Sequence, residues 1–206
     1  MNNEQQKYYL NELSAQCQFA LDAYADIQRL SSIIKSESKK HTAKDSRDLF
    51  RHLHSLFTHA GNISKLLFNR GKGKLRSEFL RKTLNIPDTG HLLESRTFRN
   101  HLEHYDERLD EWINDWVKHN YPEYFNTLSL LGNEQTHNIS TLGSEEMRVF
   151  NYSTMRFIFQ NDSFDIIQLI DVIREIHNNL TKLGADYQPK RYLISRLAPV
   201  ENGDRL

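Results

Sequence analysis

The sequence predicts a mainly α-helical fold, an antiparallel four-helix bundle with a small β-hairpin inserted before the last helix. Apolar residues recur at helical spacing in four long stretches, and short connections between such stretches favour antiparallel neighbours. Between residues 124 and 160 the pattern changes to short runs rich in Val, Phe and Ile, which are typical of strands. We expect one domain over residues 1–206, because this length supplies one core and is short for two.

Two long helices are predicted at the start of the chain. From about residue 5 to 35 apolar side chains recur every three or four positions, and after a polar, basic segment the period resumes to about residue 69. Cys17, the only cysteine, falls among the apolar residues of the first helix, so we expect a small buried side chain. The two glycines of segment 69–74 end the second helix, since glycine favours positive φ angles.

A shorter helical piece, Leu75 to Leu84, precedes a turn that Pro87 and Gly90 frame. The strongest periodic signal follows, between about residues 92 and 117, where the apolar side chains fall within about 100° of one another on a helical wheel. This core stripe consists of Phe98, Leu102, Tyr105, Leu109, Trp112, Ile113 and Trp116. We expect its two tryptophans to pack in the core rather than to stack on bases.

The hairpin is predicted from two short apolar runs, Met147 to Asn151 and Met155 to Gln160, which the turn Tyr152-Ser153-Thr154 separates. Such a hairpin would be an insertion between the third long helix and the last one.

The last helix is marked by apolar residues at helical spacing from Phe164 to Leu180. We expect Asp162 or Ser163 to cap its start, because short polar side chains accept hydrogen bonds from the first free amides of a helix. The helix should stop near Gly184. Residues 185–206 are expected to form an extended tail.

Charge is balanced over the whole chain, with 27 Lys and Arg against 27 Asp and Glu, so any attraction of nucleic acid must be local. Basic residues outnumber acidic ones between Lys65 and Lys82, where Glu78 is the one acid. This cluster, which we call the basic segment, could follow an RNA backbone. Its candidate RNA-binding residues are Arg70, Lys72, Lys74, Arg76, Arg81 and Lys82. The alternative is an ordinary solvated helix end and loop.

Several classes of protein are disfavoured by the composition. No apolar run approaches the length of a membrane span, and the first residues lack the basic start and apolar stretch of a signal peptide. We therefore expect a cytoplasmic protein without a membrane partner. His52, His54 and His59 lie close together, but no paired cysteine or HExxH spacing accompanies them, so no metal or cofactor is expected.

Arg99, Asn100 and His104 are the candidate catalytic residues. Arginine can hold a phosphate through two parallel hydrogen bonds, and histidine exchanges protons near neutral pH. All three point away from the core stripe, and Asn100 shares a helix face with His104, while Arg99 projects from another side. One helix cannot surround a phosphate with these groups, but two copies across a twofold axis can. The catalytic interpretation therefore implies a homodimer.

Arg99, the polar Asn100, three intervening residues and His104 resemble the Arg-Asn-x-x-x-His signature of HEPN domains. The resemblance covers residues 5–183 in outline and implies a helical bundle. It further implies a metal-independent endoribonuclease that works as a dimer, often a toxin with an antitoxin partner or a phage-defence component. Many members carry a tyrosine two residues after the histidine, whereas Asp106 occupies that place and Tyr105 precedes it.

Alternatives to the nuclease stay open at the level of sequence. The same Arg-to-His spacing occurs at Arg47 and His52 and at Arg96 and His101, and we prefer the copy at Arg99 because asparagine follows the arginine. The helix after His104 is strongly acidic, which counts against binding of a phosphate backbone and suits a basic protein partner. The competing hypotheses are a non-catalytic interaction module that binds a protein and a nucleotide-binding helper that uses residues 70 to 82.

Overall fold

A computed structural model of the protein describes residues 1–36, 41–95, 100, 103–118, 127–132, 146–160 and 162–185. Within these ranges there are five α-helices: α1 (Asn3–Lys35), α2 (Ala43–Leu67), α3 (Lys74–Leu84), α4 (Tyr105–Lys118) and α5 (Ile166–Lys182). Four strands lie between α4 and α5: β1 (Ser129–Leu131), β2 (Arg148–Asn151), β3 (Arg156–Phe159) and β4 (Asp162–Asp165). A short 3-10 turn, Leu92–Glu94, follows α3.

The two longest helices begin with reciprocal side-chain caps. The Asn2 side chain accepts a hydrogen bond from the Gln5 amide at 2.9 Å while the Gln5 side chain accepts one from the Asn2 amide. Thr42 and Asp45 make the same exchange at the start of α2. Each exchange satisfies two backbone donors that the helix itself leaves free, and so fixes where the helix begins.

The helical part of the core lies where α1 packs along α2 and α5. Leu13 and Ile27 of α1, Leu53 of α2 and Ile173 of α5 are fully buried there. Cys17 is buried as predicted, and burial raises the pKa of its thiol far above the usual range. In the described part of the chain, no helix combines the length and the apolar character that crossing a membrane requires.

The strands form one mixed sheet in the order β1-β2-β3-β4. β1 pairs parallel with β2, whereas β2 with β3 and β3 with β4 pair antiparallel. The predicted hairpin corresponds to β2 and β3, but the prediction of a four-helix bundle with only a hairpin was wrong, although the fold is mainly α. Two strands were missed because β1 has three residues and the sequence of β4, Asp-Ser-Phe-Asp, contains a single apolar residue.

The predicted cap of the last helix was also wrong, because Asp162 and Ser163 belong to β4. The helix is capped instead by Asp165, whose carboxylate accepts a hydrogen bond from the Gln168 amide at 3.0 Å. Of the predicted tail, Ala185 is buried, and residues 186–206 lie outside the described residues.

One face of the sheet carries a row of aromatic side chains, because directly paired residues of neighbouring strands share a face. Phe150 pairs with Phe157, and Phe157 pairs with Phe164. The Phe57 ring of α2 packs on this row, 5.0 Å from the Phe157 ring and 5.6 Å from the Phe164 ring between centroids. This face of the sheet therefore packs against α2, and beside the row, at the end of the sheet where β2 begins, Arg148 pairs with Phe159.

Helix α4 contacts the sheet at that end. The Tyr105 ring meets the Phe159 ring edge-on at 6.5 Å, and the Gln160 side chain donates a 2.8 Å hydrogen bond to the Arg108 carbonyl. Trp112 of the predicted core stripe is buried. The predicted helix over residues 92–117 was too long at its start, because Leu92–Glu94 is a 3-10 turn. Phe98 and Leu102 of the stripe lie outside the described residues.

Candidate functional site

Asn100 and His104 lie at the surface, immediately before α4. The His104 amide donates a 3.0 Å hydrogen bond to the Asn100 carbonyl, and the Arg108 amide donates one of the same length to the His104 carbonyl. These are the hydrogen bonds of an α-helix, so Asn100, His104 and Arg108 follow one another one turn apart. The structure thus brings the predicted amide and imidazole to one exposed surface. Arg99, the third predicted residue, lies outside the described residues.

The His104 imidazole is partly held by a carboxylate. Its Nδ1 lies 3.3 Å from Oε2 of Glu107, and the side chain is 52% exposed. When Nδ1 carries the proton, Nε2 remains the acceptor and can exchange a proton with a bound substrate.

Acidic side chains surround His104 along α4, as its sequence predicts. Glu111 pairs with Arg108 at 2.7 Å, and Glu103 pairs with Lys65 of α2. The exposed acidic residues are Glu103, Asp106, Glu107, Asp110, Glu111 and Asp115. The ion pair between Glu103 and Lys65 places the end of α2, where the basic segment begins, beside His104.

Four of the six predicted RNA-binding residues make contacts within the chain. Arg81 is 12% exposed at its side chain, binds Asp88 at 2.9 Å and the Leu67 carbonyl, and lies over the Phe68 ring. Such an arginine joins α3 to the end of α2 and has few donors left for a ligand.

The other basic residues are more accessible. Arg76 donates a 3.1 Å hydrogen bond to the Lys65 carbonyl, Arg70 pairs with Glu94 at 2.6 Å, and Lys74 pairs with Glu78 at 3.6 Å. Lys72 and Lys82 are exposed, and among the described residues neither has an ion pair. Binding of RNA by the basic segment stays a prediction, with these two lysines the most available.

A buried cluster that the sequence analysis did not identify lies beside the motif. Arg148 is 8% exposed and donates hydrogen bonds to Nε2 of His54 at 2.9 Å, to the Tyr105 hydroxyl at 3.3 Å and to the Thr127 carbonyl at 3.2 Å. Burial lowers the pKa of the Arg148 guanidinium. Burial, and then the charge of Arg148, lower the pKa of His54. The sequence signal for this Arg148 cluster is a lone arginine in an apolar strand.

The three histidines of α2 point to different partners. His52 lies 3.6 Å from Asp26, His54 binds Arg148, and His59 bonds to the Gln16 side chain at 2.8 Å. Across the described ranges, three or more His, Cys, Asp or Glu side chains nowhere converge as metal ligands would.

Comparison with known proteins identified no relative of this chain. No family model matches the chain, and no curated protein or solved structure is significantly similar to it.

Proposed function

We propose that the protein is a metal-independent endoribonuclease of the HEPN type that acts as a homodimer. The observation that carries the proposal is the exposure of Asn100 and His104 one helical turn apart, with the imidazole open to an incoming substrate. The Lys65–Glu103 ion pair supports it, because it brings Lys65, the first residue of the basic segment, next to the residue that precedes His104. RNA is the substrate class that this pairing of a histidine with a basic surface favours.

In the proposed reaction, His104 accepts the proton of a ribose 2′-hydroxyl as a general base. The 2′-oxygen attacks the adjacent phosphorus, the bond from phosphorus to the 5′-oxygen breaks, and the leaving oxygen takes up a proton from solvent water or from a protonated His104, which then acts as the general acid. Arg99 neutralises the charge that gathers on the pentacoordinate phosphate, while Asn100 holds the substrate or the imidazole. The products are a 2′,3′-cyclic phosphate and a 5′-hydroxyl end.

The proposed dimer supplies the groups that one copy lacks. Asn100 and His104 share a face, whereas the helical wheel of the sequence predicts a different side for Arg99. A twofold axis beside this surface would set the guanidinium of one copy near the imidazole of the other. A strict monomer would contradict this part of the proposal.

To test the proposed nuclease directly, end-labelled RNA is incubated with the purified protein in excess chelator. Wild type should cleave it and leave cyclic phosphate ends, and His104→Ala should slow cleavage by roughly a hundredfold or more, as loss of a general base does. His41→Ala is the matched control, because His41 is exposed and lies away from the motif. Equal cleavage by wild type and His104→Ala, or none by either, would refute the nuclease.

The exposed acidic surface of α4 favours a second candidate, a non-catalytic module that binds a basic protein, such as an antitoxin. Asp106 and Asp110 contribute to this surface and have no ion pair among the described residues. In the second candidate, lysine at both positions abolishes binding of the partner protein. A wild type that cleaves no RNA but co-purifies with a basic protein in a manner dependent on these two residues would favour it over the nuclease.

A further inference from the structure

We propose that Arg148 is a positioning residue of the proposed ribonuclease site: it fixes Tyr105, the residue after His104, and so sets where the imidazole stands. The inference rests on the proposed function for its catalytic consequence. Its structural part, that Arg148 holds the start of α4, can be measured whether or not the protein cleaves RNA.

Arg148 is a buried cation that makes its hydrogen bonds to neutral groups. Among the described residues no carboxylate lies within ion-pair distance of its guanidinium, and its three bonds go to a carbonyl, an imidazole and a hydroxyl. A buried cation without an opposite charge is costly unless neutral acceptors satisfy its donors. Filling space alone therefore does not account for a buried arginine on the aromatic face of the sheet.

The three hydrogen bonds of the Arg148 guanidinium join three separate segments of the chain. Nε reaches the Thr127 carbonyl before β1, Nη1 reaches His54 on α2, and Nη2 reaches Tyr105 at the start of α4. A planar guanidinium directs its donors in fixed directions, so these bonds hold the three segments in one arrangement. Lysine carries the same charge but has a single point of attachment, and it cannot make this set of bonds.

Tyr105 makes a second contact with Arg148 and one with the sheet. The guanidinium carbon of Arg148 lies 5.1 Å from the centroid of its ring, and the Phe159 ring meets it edge-on. Since His104 precedes Tyr105 directly, its backbone cannot shift along the sheet while the Tyr105 ring stays in place. A displacement of the catalytic group by about 1 Å can lower a rate by roughly a hundredfold, so this fixation is large enough to matter for turnover.

The test compares Arg148→Lys and Arg148→Met with wild type and with the control Arg174→Met, which removes an exposed arginine paired with Asp171 on α5. Amide hydrogen exchange is followed residue by residue. We expect Arg148→Lys to raise the exchange rates of the His104 and Arg108 amides at least tenfold, with little change in the core of α1. In cleavage assays kcat should fall tenfold or more, with KM within twofold of wild type.

The outcomes separate this inference from the proposed function. Unchanged exchange at His104 and Arg108 in Arg148→Lys would overturn the positioning role, even in an active nuclease. A uniform rise over the whole chain would also overturn it, because Arg148 would then serve general stability alone. A local rise in a protein whose wild type cleaves no RNA would retain the structural role and refute the nuclease. Should Arg148→Met fail to fold, Arg148→Lys still decides the question.

Discussion

Replacing Phe57 by alanine should destabilise the protein by about 4 kcal/mol, the middle of the range for a buried phenylalanine. Phe57 is 2% exposed, and its ring contacts Phe157 of β3 and Phe164 of β4. Removing the ring leaves a cavity, at a cost of roughly 3–5 kcal/mol, and also deletes its contacts with Phe157 and Phe164. Such a loss is a large part of the roughly 5–15 kcal/mol that stabilises a typical domain.

Urea denaturation of Phe57→Ala, followed by circular dichroism, measures this loss. The control is Phe19→Ala, which removes a phenylalanine that is 37% exposed on α1 and should cost about 1 kcal/mol or less. If the free energy of unfolding falls with urea concentration at the same slope in wild type and in both variants, their stabilities can be compared directly. A loss for Phe57→Ala no larger than that for Phe19→Ala would refute the packing of the sheet on α2.

Three further predictions follow from the structure. Burial and the charge of Arg148 lower the pKa of His54 below about 6.5, its usual value, so stability should be full above pH 6.5 and fall as the pH drops toward the folded-state pKa. Urea midpoints from pH 8 to 5 should show a shallower decline for His54→Gln, and an equal decline would contradict this. Thr42→Ala should cost about 1 kcal/mol by removing the cap of α2, and a thermal midpoint equal to that of wild type would count against it. Glutamate at Lys72 and Lys82 together should weaken RNA binding at least tenfold at low salt, and unchanged affinity in a filter-binding assay would exclude the basic segment.

The helices could be predicted because their signal is local. The periodicity around Leu13 and Cys17, around Leu53, and from Ile166 to Leu180 depends on neighbours three or four residues away, which the sequence displays directly. The β2–β3 hairpin was found for the same reason, since its two strands are apolar and adjacent in the chain.

The rest of the sheet depends on distant or weak signals. β1 pairs with β2 although the two strands are distant in the sequence, as the pairing of Ser129 with Val149 shows. With three residues, β1 is also too short to show the alternating pattern of a strand. Among the described strands β4 lies at an edge of the sheet and pairs with β3 alone, so its Asp-Ser-Phe-Asp sequence needs little apolar character and resembles a helix cap. The sheet order therefore could not be predicted from local patterns.

One part of the candidate site could be predicted from the sequence and another part could not. The exposure of Asn100 and His104 follows from their angles on the helical wheel, and the structure places both at the surface. The Arg148 cluster joins residues that are far apart in the chain, since Arg148 lies 94 positions from His54 and 43 from Tyr105. No spacing rule connects such residues, and their proximity is a consequence of the tertiary fold.

The shared site of the proposed dimer is tested most directly by the dependence of activity on protein concentration. Cleavage of labelled RNA in chelator is measured over a dilution series while light scattering reports the fraction of dimer. If the site is shared between two copies, the specific activity falls in proportion to that fraction and is absent from His104→Ala at every concentration. A monomer that retains full specific activity, or a dimer that cleaves equally well without His104, would contradict it.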